Sequence, residues 1–169
     1  YSSNAKIATV SNGKVTAKKK GTAVIYAKVN GKKYACKVTV VTQQRAYIDT
    51  LQRQINIQRR RYGFNSYDRN PLLQQAAQKR AKELAEKFSH ARPNGYSWAS
   101  AISMRYNFKK ASELTARYYT DPQEVVDAWM SKASTKAKII SKRYNEIGVG
   151  VYLDEDGFLY YAVIVAVRK

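Results

Sequence analysis

The chain has 169 residues, 44% of them hydrophobic and 14 of them tyrosines, which is enough apolar material to form cores and excludes global disorder. No run approaches the roughly 20 apolar residues that span a bilayer, so we expect no transmembrane segment. The net charge of +19 predicts a polyanionic partner such as nucleic acid, an anionic membrane or a phosphate-rich cell-wall polymer. The alternative is that the charge only forms a solvated, solubilising surface. The single cysteine excludes an internal disulfide.

The first 41 residues predict short β-strands joined by tight turns. The β-rich segments are 7–10, 14–17, 22–27 and 34–40. Asn12-Gly13, Lys20-Gly21 and Asn30-Gly31 separate them, and Asn-Gly between such segments favours a hairpin because both residues tolerate positive φ. Cys36 stands in an alternating segment, where we expect a packed, inert thiol rather than a reactive or intermolecular one. This segment also carries nine lysines and no acidic residue up to position 44, and Lys18-Lys19-Lys20 is expected in a turn.

The segment from Ile7 to Ile25 resembles part of a bacterial Ig-like group 2 domain. It reads Ile-Ala-Thr-Val-x-Asn-Gly-Lys-Val-Thr-Ala-x-x-x-Gly-Thr-Ala-x-Ile. The resemblance implies a small, partial β-sandwich over residues 1–42 whose two opening strands are missing. Such a fragment is expected to expose a sheet edge that pairs readily with another chain.

A helical period begins at Gln43, with Tyr47, Leu51, Ile55 and Arg59 on one face and Thr42 as the expected cap. The seam has no run of Gly, Pro or Ser, so we expect the strand to pass almost directly into the helix. The run 59–61 is Arg-Arg-Arg. It is interpreted as a basic helix end favoured by the helix dipole, with phosphate contact as the alternative.

Later elements mix helices and strands over residues 43–169. The best-patterned helix is predicted over 71–89, and Asp121, Pro122 and Glu124 predict the start of another helix. Strands are predicted over 146–153 and 158–167, joined by a hairpin at 154–157. This order predicts an α+β fold with a three-layer α-β-α sandwich.

Residues 88–95 contain the chain's single histidine and read Phe-Ser-His-Ala-Arg-Pro-Asn-Gly. This octapeptide resembles the Phe-Ser-His-x-Arg-Pro-Asp-Gly signature of bacterial CAP (SCP-like) domains. Four further landmarks occur in the same order as in that family: Asn56 to Arg59, Leu72 to Ala85, Ala111 to Leu114, and Trp129 followed by 144–151. The resemblance therefore covers about residues 45–169 and implies the three-layer sandwich.

The family's cleft carries a cluster of two histidines and two acidic residues. The resemblance assigns His90 and Glu113 to two of these positions, whereas Lys132 and Thr135 occupy the other two. His90 and Glu113 are therefore the candidate catalytic residues, and Lys132 and Thr135 are expected to line the cleft. Zinc usually takes at least three protein ligands, so we expect no cofactor and at most weak zinc binding.

Alternatives remain for each of these residues. His90 and Glu113 form either an acid–base pair or a purely structural pair. The alternative for Glu113 alone is a solvated surface acid. The alternative for Thr135 is an ordinary residue of a helix or a helix cap. The nucleophiles available by type are Ser89, Ser112 and Thr135, and nothing in the sequence determines the geometry of any of them.

We therefore expect a secreted bacterial protein, extracellular or cell-wall-associated, with its signal peptide outside this chain. Its expected function is binding or display at a surface through an anionic polymer, with a lipid or peptide as a possible ligand of the cleft. The alternatives are a peptidase-like hydrolase and nucleic-acid binding, which rests on charge alone and is not the favoured partner.

Overall fold

The computed structural model describes residues 1–169, which fold as two compact units, 1–46 and 47–169. The strands are β1 (Ala8–Ser11), β2 (Lys14–Ala17), β3 (Gly21–Val29), β4 (Lys32–Val40), β5 (Asp68–Arg69), β6 (Phe108–Arg117), β7 (Glu146–Leu153) and β8 (Leu159–Arg168). The helices are α1 (Gln43–Arg61), α2 (Pro71–Glu86), α3 (Pro122–Ser131) and α4 (Ala133–Ile139), with a short 3₁₀ helix at Trp98–Ala101. No helix combines the length and the apolar character that crossing a bilayer requires.

The N-terminal unit consists of two antiparallel hairpins, β1–β2 and β3–β4. Asn12 and Asn30 both have φ of 48°, and the glycines after them have φ of 77° and 76°, so the predicted Asn-Gly hairpin turns are confirmed. A small core forms around Ala8, Ala23 and Ile25. The two hairpins are two separate two-stranded sheets rather than a complete sandwich, and the Ig-like assignment stays a prediction.

The prediction that Cys36 is packed in a core is wrong. Cys36 pairs with Ile25 across the β3–β4 hairpin, so both side chains project from the same face, yet Cys36 is exposed. The small core of this unit covers Ile25 but does not include Cys36. The alternating pattern predicted the correct face but could not show how far the cover extends.

The C-terminal unit is built on a four-stranded sheet of order β5-β7-β8-β6, parallel between β5 and β7 and antiparallel elsewhere. Strand β8 packs on both faces because its residues alternate. Tyr161, Val163 and Val165 join the core formed with α1, α3 and α4, while Ile164 and Ala166 pack against α2. The CAP-like α+β fold therefore has helices on both faces of the sheet, as the apolar residues on both faces of β8 require.

Helix α2 approaches strand β7 unusually closely, at two glycines. A Cβ atom built on Gly148 would lie 2.1 Å from the backbone of Leu73, and one on Gly150 would lie 2.0 Å from the carbonyl oxygen of Ala77. The Gly-Val-Gly sequence of β7 is therefore what allows this helix to lie on the sheet.

Two glutamines of α2 cover the edge of β7 beyond its short pairing with β5. The side-chain amides of Gln74 and Gln78 donate to the carbonyl oxygens of Val149 and Val151 and accept from the N–H groups of the same residues. The amides replace a neighbouring strand, so this edge has hydrogen-bond partners where no further strand pairs with it.

Helices α1 and α3 begin at the capping residues that the sequence predicts. Thr42 caps α1 by accepting a hydrogen bond from the N–H of Arg45 at 3.2 Å, and only two residues separate β4 from α1. Asp121 caps α3 through the N–H of Gln123 at 2.8 Å, with Pro122 in the first turn as predicted.

Candidate functional site

The loop that carries His90 begins earlier than the sequence predicts. Helix α2 ends at Glu86 rather than Ser89, because the backbone of Lys87 is extended and the N–H of Ser89 donates to the carbonyl oxygen of Lys87 instead of to one four residues earlier. Arg80 Nη2 then donates to the carbonyl oxygen of Ser89 at 2.7 Å. Phe88, expected on the buried helix face, therefore lies outside the helix and is 38% exposed. The carbonyl oxygen of His90 is fixed by the N–H of Trp98 at 3.0 Å.

His90 and Glu113 are in direct contact. His90 Nδ1 lies 2.6 Å from Glu113 Oε2, which joins the loop after α2 to strand β6. The imidazole is 58% exposed, whereas the carboxylate is fully buried. The interpretation of Glu113 as a solvated surface acid is therefore wrong.

Arg80, on α2, binds the other oxygen of the Glu113 carboxylate. Its Nε donates to Glu113 Oε1 at 2.7 Å, and its Nη1 donates to Glu83 Oε2 at 2.8 Å. Arg92 contacts Glu83 at 2.7 Å and Ser100 at 2.9 Å, which ties the loop to the helix. His90, Glu113, Arg80, Glu83 and Arg92 thus form one continuous chain of polar contacts, named here the carboxylate–arginine network.

The network is electrostatically balanced. Burial alone would lower the pKa of Arg80, but its hydrogen bonds to Glu113 and Glu83 outweigh burial and raise that pKa. Burial would likewise raise the pKa of Glu83, but hydrogen bonds from Arg92 and Arg80 dominate and lower it. The two glutamates are therefore held as partners of arginines inside the fold.

Sequence reasoning gave Arg80 no role, although its position carried a signal. Arg80 follows Ala76 by four residues and Ala77 by three on an otherwise apolar helix face, and its side chain is fully buried. A charged residue in a buried stripe requires a buried counter-charge, which Glu113 and Glu83 provide.

Lys132 and Thr135 lie together at a second place, beside a cavity of about 300 Å³ that is also lined by Phe88, Arg117 and Trp129. The Thr135 hydroxyl donates to the carbonyl oxygen of Trp129, 2.6 Å away. His90 and Glu113 are not among the residues lining this cavity, and no hydrogen bond joins them to Lys132 or Thr135.

A further residue that the sequence did not single out is Lys138. Its Nζ donates to the backbone carbonyl of Glu113 at 2.9 Å, on the edge of β6 that has no neighbouring strand. Burial lowers the pKa of Lys138; the Glu113 charge opposes this and Lys132 reinforces it. Lys138 shares a cavity of about 560 Å³ with Ser112, one of the candidate nucleophiles, and no hydrogen bond joins their side chains.

The residues around His90 do not suit a zinc ion. No group of three or more His, Cys, Asp or Glu side chains is arranged to hold a metal. One oxygen of Glu113 is already bound by the positively charged Arg80, which would oppose a cation at the same carboxylate.

Comparisons with known proteins agree with this architecture. A sequence model of the family described as CAP, the cysteine-rich secretory protein family, matches residues 52–166. The chain is 28% identical over 98 residues to the uncharacterized protein YkwD of Bacillus subtilis (strain 168). That match covers 56% of this chain and only 38% of the relative's length.

Two solved structures show the same fold. An outer surface protein from Borrelia burgdorferi gives a TM-score of 0.68 at 22% identity, over 76% of this chain and 97% of that one. An extracellular protein containing a SCP domain from Bacillus anthracis str. Ames gives a TM-score of 0.65 at 18% identity, over 80% of this chain and 47% of that one. Both are described as proteins of the cell exterior.

Proposed function

The chain belongs to the cysteine-rich secretory protein (CAP) family, and from this membership we propose that it is an extracellular, cell-wall-associated binding protein rather than an enzyme. In this proposal the lysine-rich N-terminal unit, a partial Ig-like module, holds an anionic wall polymer. The CAP domain presents its cleft to a lipid or peptide ligand.

One observation carries the polymer-binding proposal: the N-terminal unit has nine exposed lysines and no acidic residue to offset them. Lys18, Lys19 and Lys20 follow β2 in the predicted turn, where the N–H groups of Lys18 and Lys19 both donate to the carbonyl oxygen of Ile7. Exposed charges of one sign attract a polyanion over about one Debye length, roughly 10 Å at 0.1 M salt.

The cleft residues support binding rather than turnover. By the family resemblance, Lys132 and Thr135 take the two positions that would complete an acid–histidine cluster. The Thr135 hydroxyl already donates to the backbone carbonyl of Trp129. The cavity beside them combines the rings of Phe88 and Trp129 with the charges of Arg117 and Lys132. Such a surface suits a ligand with an apolar part and an acidic group.

Sedimentation of the full chain with purified Gram-positive cell walls across a salt series tests the proposal. The triple variant Lys18→Gln, Lys19→Gln, Lys20→Gln is expected to bind less at low salt and to show a weaker salt dependence. The matched control, Lys79→Gln, Lys82→Gln, Lys87→Gln, removes the same charge from exposed positions of the CAP domain. Equal losses in both triples would refute a polymer site on the N-terminal unit, and stronger binding to DNA of equal charge density would favour the nucleic-acid alternative.

A second candidate function is hydrolysis, favoured by the 2.6 Å contact between His90 Nδ1 and Glu113. A carboxylate at Nδ1 orients the ring and leaves Nε2 available as a base on the exposed side. Turnover of a general labelled protein substrate should then disappear in His90→Ala and persist in Thr135→Ala. Turnover that survives His90→Ala would exclude this mechanism.

A further inference from the structure

Arg59, in the last turn of α1, is buried without an acidic partner. Its side chain is 3% exposed, and its hydrogen bonds go only to backbone carbonyls. Nε donates to Asn65 at 2.6 Å, and Nη1 donates to Ile139 at 2.6 Å and Ser141 at 3.0 Å. No carboxylate lies within ion-pair distance of this guanidinium, although three backbone carbonyls, from the loop after α1 and from the end of α4, converge on it.

The contrast with the other buried arginines is informative. Arg80 and Arg92 are both buried and both bind glutamates, so their charges are neutralised inside the fold. Carbonyl dipoles compensate only part of the cost of burying a full charge. Burial consequently lowers the pKa of Arg59, and only the electrostatic interaction with Tyr67 opposes it. The ring of Tyr67 lies 3.5 Å from the guanidinium carbon.

Arg59 also lines a cavity of about 330 Å³ whose walls contain donors and no acidic residue. The cavity is lined by Arg59, Gly63, Phe64, Asn65, Ser66, Lys142, Tyr144 and Asn145. Arg59 Nη2 makes no hydrogen bond within the protein, and no buried side-chain nitrogen or oxygen lacks a partner, so this nitrogen keeps some access to solvent. It is therefore the guanidinium nitrogen left for a ligand.

Two neighbouring side chains suit the same ligand. The Ser66 hydroxyl accepts a hydrogen bond from Arg60 Nη1 at 2.9 Å, which leaves its own proton free to donate to an anion. Lys142, from the loop between α4 and β7, adds a second positive charge. A guanidinium, an ammonium and a hydroxyl around one space match the several acceptor oxygens of a tetrahedral oxyanion.

We propose that the cavity lined by Arg59, Ser66 and Lys142 is a phosphate-binding site, which takes the phosphate group of a monoester or a diester. The ligand supplies the negative charge that the fold does not place beside Arg59. This site lies in the CAP domain and does not depend on the lysines of residues 1–44, so it stands or fails separately from the polymer site proposed above.

NMR titration of the full chain tests the site with two probes, glycerol 3-phosphate, which is a phosphomonoester, and glycerophosphoglycerol, which carries a phosphodiester. Amide shifts are expected at Gly63, Ser66 and Tyr144, and whichever probe binds more tightly identifies the monoester or the diester as the source. Removing one charged donor should weaken binding about tenfold, so Lys142→Ala should do this while Lys82→Ala, which removes the same charge from an exposed position on α2, should not.

Two results would overturn the proposal. One is shifts confined to residues 1–44, and the other is equal weakening in Lys142→Ala and Lys82→Ala, since either would mean a diffuse electrostatic effect. Ser66→Ala provides an independent variant, because it leaves the Arg59 contacts with α4 and the following loop intact. It should weaken phosphate binding without lowering thermal stability, and unchanged binding in Ser66→Ala and Lys142→Ala together would exclude the site.

Discussion

Replacing Arg80 with methionine should strongly destabilise the CAP domain. The Arg80 side chain is fully buried and makes ionic hydrogen bonds of 2.7 Å to Glu113 and 2.8 Å to Glu83. Methionine retains much of the volume but leaves the buried Glu113 carboxylate with only the half-exposed His90 as a partner. Removing one member of a buried ion pair typically costs about 3–5 kcal/mol, because the remaining charge is left without compensation.

Urea unfolding followed by circular dichroism measures this loss, and a double-mutant cycle identifies its cause. Arg80→Met combined with Glu113→Gln should be less destabilised than the sum of the two single variants, because the double variant buries no unpaired charge. His90→Ala is the matched control: its ring is largely exposed, so its removal should cost less than about 1 kcal/mol. A loss below about 1 kcal/mol for Arg80→Met, or strict additivity in the cycle, would refute the assignment of Arg80 as the partner that stabilises Glu113.

The packing and the charges support three further predictions. Gly150→Ala must separate α2 from β7 by about 1.4 Å, because only then does a 2.0 Å approach become an ordinary 3.4 Å contact. The melting temperature should therefore fall further than in Gly157→Ala, a position with positive φ but open space around it. Equal falls in the two variants would contradict the close approach. The lowered pKa of Glu83 means that its stabilising contribution is present above its unfolded pKa, near 4.5, and is lost as pH falls through the lower folded value. The free energy of unfolding should therefore fall less steeply with decreasing pH in Glu83→Gln than in the parent chain. Equal slopes in the two proteins would contradict this role of Glu83. Gln78→Ala removes both hydrogen bonds to Val151 and should cost about 1–2 kcal/mol while exposing a strand edge. Sedimentation velocity should therefore detect more self-association than in the parent chain, and an equal degree would contradict the role of Gln78 as an edge cover.

Local signals predicted much of the fold because they depend on neighbours in sequence. Asn12 and Asn30 before glycines indicated the two hairpin turns, and Asp121 before Pro122 indicated the start of α3. The apolar run 162–167 predicted the strand character of β8, and the structure shows that its two faces meet different helices. These elements required no knowledge of distant residues.

The site was only partly predictable because its partners are far apart in the chain. His90 and Glu113 were found through their motifs, and the structure joins them, yet the sequence left Glu113 open between a surface acid and a cleft residue. Only the three-dimensional structure, in which Arg80 of α2 reaches Glu113 of β6, reveals that Arg80 holds that carboxylate. Cys36 failed for the same reason, since alternation predicts a face but not the layer that covers it.

The buried arginines of this domain differ in whether an acidic side chain compensates their charge. Arg80 and Arg92 form ion pairs with Glu113 and Glu83, so these opposite charges compensate one another inside the fold. Arg59 is buried with carbonyls alone, so its positive charge remains uncompensated beside a cavity that also holds Lys142. Because these internal pairs are neutral, they leave the net charge of +19 unchanged. Arg59 is the buried arginine at which an anionic ligand would complete the electrostatics of the fold.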